Sequence, residues 1–437
     1  MNRKFSGLRR TTTRRMAFNP SCRFWQLMLA LSLPAIWAER VCGQEALRQS
    51  MAGEAAAEAQ HKAATTIGYY NMKLGDLTLR AFSGMGVQYN DNVRLQSSGH
   101  QQGDVIFVPS VSTQLHYPVT QFNSLDLSIT AGYSTYLQHP ELSQFYVNPG
   151  SGLIFNIYIG DVVLNLHDSV TVSQSGYQNP TANGNGDNSS LDNSIGTGMT
   201  WDMNKLVLSA GYNHGNYISL GSRVSVPDAS TENVYLNGGA NVQGGLVLGL
   251  EAGGTSASYS RSVAASSPDL QQWSAGAFSR WQISDYMNAQ IHAGFTQVMP
   301  QGTISTNLSV GSSSGLYFNV SLSHRVNQWF NYTLSAERSQ NLQSYGQAYA
   351  TYTVRWSPNC TLLRKYAVST PVWWTKGTQF FNQANSYEQY GAALNVERQI
   401  TENLAGAFSY QFINETSDQA SLNYVVDIIS LTLTYHF

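Results

Sequence analysis

The last ten residues of the chain alternate between two kinds of side chain. Ile429, Leu431, Leu433, Tyr435 and Phe437 are apolar or aromatic, and most of the residues between them are polar. A period of two over ten residues is typical of a β-strand with one apolar and one polar face. This pattern predicts that the chain is built from two-faced strands.

The same alternation recurs upstream in segments that are far apart in the chain. Each segment places Leu, Val, Phe or Tyr on one side and Ser, Thr, Gly or Asn on the other. The agreement of independent segments favours one all-β architecture, in which every strand separates an apolar from a polar environment. The clearest segments are Leu125–Tyr133, Leu206–Tyr212, Leu246–Ala252, Leu316–Leu322 and Leu404–Phe412.

One segment departs from this rule. Asp168 stands on the apolar side of the strand that contains Val162, Leu164, Leu166 and Val170. A carboxylate on an apolar face predicts a bulge, a rim position or a polar partner at that point.

Composition decides which environment the apolar faces meet. Only 11% of the residues are charged, against about 25% in an average soluble domain. A soluble β-sandwich or propeller would need more surface charge. After the first 40 positions there is no run of about 20 apolar residues, so spanning by helices is excluded. A closed antiparallel barrel satisfies its backbone hydrogen bonds in lipid, and we therefore predict a β-barrel in the outer membrane of a Gram-negative-type bacterium.

The first 43 residues have the layout of a secretory signal peptide. Seven Lys and Arg residues precede an apolar run at Phe24–Ala38, which is too short for a confident membrane anchor. Cleavage after Ala38 or Gly43 fits the small residues there, and we prefer Gly43. Residues 44–76 are predicted to form a short periplasmic lead rich in Ala, Glu and Gln, followed by the barrel at 77–437.

The length of the barrel segment limits the number of strands. Residues 77–437 amount to 361 positions, and each outer-membrane strand with its connection takes roughly 20 to 25 residues. The expected number is therefore about 16 strands, within a range of 14 to 18. A barrel of this size normally leaves an aqueous channel.

Charged residues at polar-side positions are candidates for the lining of the channel. Pairing within the wall is the simpler expectation, and a charged constriction that tunes solute passage is the alternative. The candidates are Asp126, Glu251, Arg280, Arg325, Glu337, Arg355 and Glu397. Tyr435 and Phe437 match the aromatic pattern on a last strand that the barrel-assembly machinery recognises.

Three segments near the start of the barrel resemble the opening of the β-barrel porin 2 family. They are Tyr89–Val93 (YNDNV), Gly103–Pro109 (GDVIFVP) and the strand from Leu125 to Leu137. The resemblance extends over about residues 77–437. It implies an outer-membrane barrel, and some members of that family are encoded with genes for exopolysaccharide synthesis.

The sequence shows no catalytic constellation of a barrel-wall enzyme. There is no His-Glu-x-x-His zinc motif, and the string GSSSG at Gly311–Gly315 is not followed by a helix pattern, as a nucleophile elbow would be, so we expect no enzyme, cofactor or metal site. The net charge of -2 offers no basic field for nucleic acid. Five histidines lie on separate segments and are expected to be structural or solvated: His139, His167, His214, His292 and His324.

Two functions fit these observations. The first is a passive channel for a polar solute, or for export of a polysaccharide, with saccharide and outer-membrane lipid as partners. The second is a structural or adhesive barrel, whose lumen is closed and whose loops bind a partner. The sequence leaves a homo-oligomer open.

Overall fold

The computed structural model describes residues 70–174, 189–220, 228–260, 269–301, 312–342, 348–379 and 386–437. The signal peptide, its cleavage site and most of the periplasmic lead lie outside these residues. None of the described residues belongs to a helix that is long and apolar enough to span a membrane.

The described residues form one antiparallel sheet of twenty strands. Each strand begins and ends where the alternating pattern meets a turn or a loop. The strands are β1 (Met72–Leu74), β2 (Leu77–Asn90), β3 (Asp104–Pro118), β4 (Ser124–Tyr136), β5 (Gln144–Ile159), β6 (Val162–Gln174), β7 (Ser189–Asp202), β8 (Leu206–Ser219), β9 (Ala229–Gln243), β10 (Leu246–Tyr259), β11 (Asp269–Ser284), β12 (Met287–Gln301), β13 (Ser313–Arg325), β14 (Phe330–Leu342), β15 (Ala348–Leu362), β16 (Tyr366–Ser369), β17 (Val372–Gln379), β18 (Ser386–Gln399), β19 (Leu404–Ser417) and β20 (Tyr424–His436).

The sheet closes on itself because β2 pairs with β20. Both β16 and β17 pair with β15 on one side and β18 on the other, so they form one barrel strand interrupted at Pro371. Strand β1 pairs only with the start of β2 and lies in line with the end of β20. Counting β16 and β17 as one and leaving β1 out, the barrel therefore has eighteen strands in the described residues.

This number is at the upper limit of the predicted range and two above the expected value of about 16. The difference arises in the connections rather than in the strands. At one end of the barrel the connections span two to five residues. Short turns lower the length of chain that each strand consumes, so the same segment holds more strands.

The two ends of the barrel differ in a way that sets its orientation. Connections at the opposite end span between five and fourteen residues, and Tyr70 and Phe437 lie at the end with the short turns. Outer-membrane barrels have short periplasmic turns and longer extracellular loops. The short-turn end accordingly faces the periplasm.

Strand alternation separates an apolar outside from a polar inside. On β10, Leu250 is 72% exposed on the outer face, while its neighbour Glu251 is 4% exposed on the inner face. Exposed Leu316 and Leu431 show the same outward orientation on other strands. A closed barrel with an apolar outer face is the form in which strands span lipid, and the chain is an outer-membrane protein.

Asp168 is on the outer face, as its parity with Leu166 requires. Its carboxylate accepts a hydrogen bond of 2.7 Å from Nδ2 of Asn193 on β7. The adjacent pairing of β5 with β6 also shifts register between Val147 and Ser151. Asp168 thus has the polar partner that the sequence pattern predicts as one of three explanations.

Asn71 joins the two ends of the barrel at its seam. Its Nδ2 donates to the carbonyl oxygen of Phe437, and its Oδ1 accepts from the backbone N–H of Ala81 at 2.6 Å. Phe437 and Tyr435, the proposed assembly signal, meet edge to face with ring centroids 5.4 Å apart. Asn71 therefore fixes the last strand beside the first.

We predict that Asn71→Ala lowers the stability of the folded barrel by about 1 to 2 kcal/mol, since two hydrogen bonds at the seam are lost. The measurement is the temperature at which the heat-modifiable band on a gel converts to the unfolded form. Lys73→Ala, in the short strand β1 that follows Asn71, is the matched control. Equal transition temperatures for the two variants would show that the seam does not depend on Asn71.

Candidate functional site: a lumen narrowed at its extracellular end

The loop after β2 folds inward over the wall of β17–β20. Leu95 at its tip is 2% exposed and packs in a cluster with Trp373, Ile413 and Tyr424. A hydrophobic side chain buried inside the barrel covers lumen surface that water would otherwise reach. We call this loop, residues 91–103, the first inward segment.

Two adjacent residues of the Tyr89–Val93 motif, Asp91 and Asn92, hold the first inward segment in place. The backbone N–H of Asp427 on β20 donates to Oδ1 of Asp91 at 2.7 Å. Nδ2 of Asn92 donates to the carbonyl oxygens of Gln96 and Val425 at 2.8 and 2.9 Å. Burial raises the pKa of Asp91 above its ordinary value, although the bond from Asp427 opposes this change. The motif thus acts as a structural anchor in this chain.

The next extracellular loop, which follows β4, is tied to the same region. Asp104 is fully buried, and its carboxylate accepts from the backbone N–H groups of Leu137, Gln138 and His139 at 2.9 to 3.1 Å. Arg94 of the first inward segment forms an ion pair with Glu141 in this loop. Asp104 and the Arg94–Glu141 ion pair therefore tie the loop after β4 to the first inward segment.

The extracellular end of β14 forms a second constriction from the opposite side. Pairing of β13 with β14 stops at Phe318 and Arg338, although β13 continues to Ser313. Beyond that point, the backbone carbonyl of Gln340 accepts a hydrogen bond of 3.0 Å from Nε2 of Gln272 on the inner face of β11. The end of β14, residues 339–342, has parted from β13, stays paired with β15 and lies over the inner face of β11; we call it the second inward segment.

Leu342 seats the second inward segment on an apolar patch inside the barrel. Leu342 is 7% exposed, and the residues that it joins come from four other strands. Apolar inner residues are unusual in a water-filled lumen. Here they form the surface against which Leu342 packs. The cluster comprises Ala229, Ala257, Tyr259, Leu270, Val298 and Leu342.

At mid-depth, the lumen wall carries a buried carboxylate with two partners. Glu251 on β10 contacts Nδ1 of His292 on β12 at 2.7 Å and accepts from the hydroxyl of Tyr317 on β13, also at 2.7 Å. The ring of Phe278 stacks on His292 with centroids 5.7 Å apart. Both carboxylate oxygens of Glu251 therefore have partners within the wall.

Two glycines make the contact between Tyr317 and Glu251 geometrically feasible. In the strand register, Glu251, Gly276, Gly294 and Tyr317 form one row across β10–β13. A Cβ at Gly276 would lie 2.1 Å from Oη of Tyr317, and one at Gly294 would lie 2.6 Å from its ring. The tyrosine thus lies flat along the wall because two neighbouring strands have no side chain there.

The inner wall along β5–β9 is lined by neutral amides and an imidazole. Asn165 donates to Asn156 at 2.7 Å, and the two ring nitrogens of His167 lie 2.8 and 2.6 Å from amide oxygens of Asn165 and Asn213. Tyr235 lies flat over Gly211 in the same region. Amides and an aromatic face offer hydrogen bonds and stacking without net charge.

Alternation places all seven charged candidates on the inner face, but the structure does not gather them into one ring. Asp126 lies near the periplasmic end and contacts Nδ1 of His116 at 2.6 Å. Glu337 on β14 and Arg355 on β15 are diagonal neighbours in the register. All three candidate arginines stack on aromatic rings: Arg280 on Phe278, Arg325 on Tyr286 and Arg355 on Trp373, at 5.3, 4.9 and 5.3 Å. Glu397 pairs in register with Ala367 and Ala407.

The residues that narrow the lumen are those that sequence reasoning missed. Leu95 and Leu342 look like ordinary loop and strand residues in the sequence, and nothing local to them indicates an inward path. Apolar residues at lumen-facing positions, such as Leu270 and Val298, were a usable signal. In the described residues, no group of three or more His, Cys, Asp or Glu could hold a metal ion.

We predict that Glu251→Leu destabilises the barrel by about 3 kcal/mol, because His292 and Tyr317 are left as buried donors without their acceptor. Urea titration of tryptophan fluorescence in lipid vesicles measures the change. Glu251→Gln retains an acceptor of the same shape and should lose much less. If Glu251→Leu is as stable as Glu251→Gln, the hydrogen bonds of Glu251 to His292 and Tyr317 do not stabilise the barrel.

Comparisons with known proteins give structural similarity and no sequence family. No family model and no curated protein matches the chain. Among solved structures, OccK2 (OpdF) of Pseudomonas aeruginosa in complex with glucuronate is 11% identical with a TM-score of 0.49, covering 83% of this chain and 98% of that one. OccAB3 of Acinetobacter baumannii is 12% identical with a TM-score of 0.45, covering 82% and 99%. The outer membrane protein OpdK of P. aeruginosa is 9% identical with a TM-score of 0.46, covering 82% and 98%. The resemblance to the β-barrel porin 2 family stays a prediction.

Proposed function

We propose that the protein is a passive outer-membrane channel for a polar, uncharged solute. The observation that carries this proposal is the closed eighteen-stranded barrel with a polar inner face. Barrels of 16 to 18 strands normally enclose an aqueous channel. Solutes would pass between the first and second inward segments, which set the width of the extracellular mouth.

The preference for an uncharged solute follows from the partners of the inner charges. Glu251 is held by His292 and Tyr317, and Asp126 by His116. The lining between them is rich in amides such as Asn165 and Asn213. A wall whose charges are matched locally exerts a weak field on an ion, while its amides bind hydroxyl groups. A saccharide is the solute class that fits this lining.

The second candidate is a structural or adhesive barrel with a closed lumen. It is favoured by the burial of Leu95 and Leu342 in two separate apolar clusters at the extracellular end. Each cluster covers part of the mouth. If together they seal it, the exposed outer loops would be the working surface.

A swelling experiment separates these candidates. Proteoliposomes with the refolded protein are diluted into neutral sugars of increasing size, and into gluconate as an anion of monosaccharide size. We expect swelling with monosaccharides, a decline with size and slower entry of gluconate. Faster entry of gluconate would contradict the preference for uncharged solutes. Absence of swelling with every solute, from correctly folded protein, would favour the closed barrel.

We also propose that the barrel-assembly machinery recognises the outward aromatic residues Tyr435 and Phe437. Both are exposed on the outer face of the last strand, at 45% and 54%. Strand β20 closes the barrel against β2. A homo-oligomer is compatible with this arrangement, and cross-linking in native membranes tests it.

A further inference from the structure

Three neighbouring periplasmic turns carry a cluster of cations on the rim of the barrel. The turns are residues 326–329, 363–365 and 400–403. The backbone N–H of Thr361 donates to the carbonyl of Trp329 at 2.8 Å, which fixes the first turn beside the second. Arg364, Lys365 and Arg398 are all exposed in this region. We refer to these three residues with Trp329 and Tyr366 as the rim patch.

Aromatic rings orient both arginines of the rim patch. The Cζ atom of Arg364 lies 5.5 Å from the centre of the Trp329 ring, and that of Arg398 lies 5.1 Å from the centre of the Tyr366 ring. Nη1 of Arg398 also donates to the hydroxyl of Tyr366 at 2.7 Å. A guanidinium stacked on a ring keeps its remaining N–H groups free to bind an oxyanion. Within the described residues, neither these arginines nor Lys365 forms an ion pair with a carboxylate.

The backbone of the middle turn shows that its side chains are unusual for their position. Leu363 and Arg364 have φ angles of 51° and 55°, in the left-handed region. Turns with two consecutive residues in the left-handed region favour Asn and Gly, which adopt that conformation with less strain. The chain instead presents an exposed Leu, 83% accessible, next to two cations. Such a combination suits the boundary between acyl chains and headgroups.

The rim patch differs from the rest of the periplasmic rim. The turns 160–161, 203–205, 244–245 and 285–286 contain one cation among them, Lys205, and two aspartates, Asp161 and Asp285. Positive charge is therefore concentrated in the sector of the rim patch, whose three turns contain one carboxylate, Glu402, while Lys73 and Lys205 lie outside it. In that sector, Val326 and Ile400 are also exposed, at 48% and 50%.

We propose that the rim patch binds the phosphate of an anionic phospholipid in the periplasmic leaflet. Arg364, Lys365 and Arg398 supply the charge complementary to the phosphate. Trp329 and Tyr366 lie at headgroup level, where amphipathic rings are favoured. Leu363 packs against the start of the acyl chains. Basic clusters at this level are known to attract anionic headgroups.

Native mass spectrometry of the detergent-solubilised full-length protein tests this proposal. The protein is mixed with equal amounts of phosphatidylglycerol and phosphatidylcholine, which differ in net charge. We expect wild-type protein to retain phosphatidylglycerol preferentially. In the triple variant Arg364→Gln, Lys365→Gln, Arg398→Gln, the ratio of retained phosphatidylglycerol to phosphatidylcholine should be about tenfold lower, because each cation near the surface contributes to headgroup binding. Lys73→Gln with Lys205→Gln, periplasmic cations outside the patch, should keep it.

A second variant separates lipid binding from folding. Leu363→Asn with Arg364→Gly replaces the strained turn by residues that favour it, so the barrel should fold normally while lipid retention falls. Three results would overturn the proposal: no lipid preference in wild-type protein, an equal preference in the triple variant, or displacement of the lipid by millimolar inorganic phosphate. The last result would assign the patch to a soluble phosphate.

Discussion

Replacing Leu342 by Asp is expected to raise the single-channel conductance by about twofold or more, since the narrowest part of a pore dominates its resistance. Leu342 seats the second inward segment on an apolar patch that includes Leu270 and Val298, both fully buried. A carboxylate cannot occupy that patch without a large desolvation cost. The segment should therefore leave the lumen, and the mouth should widen.

The control for this prediction is Leu342→Met. Methionine has a similar volume and remains apolar, so it should keep the segment seated and leave the conductance close to that of wild type. Leu95→Asp tests the first inward segment in the same way. If Leu342→Asp and Leu342→Met have the same conductance, the second inward segment is not part of the constriction.

The second large effect is expected at Gly276. A valine there would place its Cβ 2.1 Å from the hydroxyl oxygen of Tyr317 and 2.5 Å from the carbonyl oxygen of Ala293. The tyrosine can move, but the carbonyl belongs to the adjacent strand and can yield only if the sheet distorts. We expect Gly276→Val to destabilise the barrel by about 3 kcal/mol or more.

Urea unfolding in lipid vesicles measures this loss, with Gly254→Val as the matched control. A Cβ at Gly254 would meet its nearest atom, on Val234, at 3.5 Å, which is an ordinary contact. That variant should remain close to wild type in stability. Equal stability of both valine variants would mean that the wall adapts to a side chain beneath Tyr317.

Alternation in the sequence predicts which face each strand presents, because a period of two is a local property. It places Leu250 outside and Glu251 inside, as the structure does. The strand total was less accurate, because short turns cannot be distinguished from strand ends by composition.

The candidate site was harder to predict because its contacts depend on the register between strands. Tyr317 reaches Glu251 only because Gly276 and Gly294 stand in the same row, and no local pattern reveals that row. Gln272 donates to the carbonyl oxygen of Gln340, 68 residues away in sequence, beyond the point where β14 parts from β13. The sequence named Glu251 as a lining residue but could not name its partners.

The most direct test of the channel is the conductance of the refolded, heat-modifiable protein in planar bilayers, with neutral oligosaccharides added as blockers. An open lumen lined by amides predicts stable current steps with little selectivity between anions and cations. Oligosaccharides that fit between the two inward segments should interrupt the current reversibly. Bilayers that stay silent with folded protein inserted would contradict the channel, and would show that Leu95 and Leu342 seal the mouth.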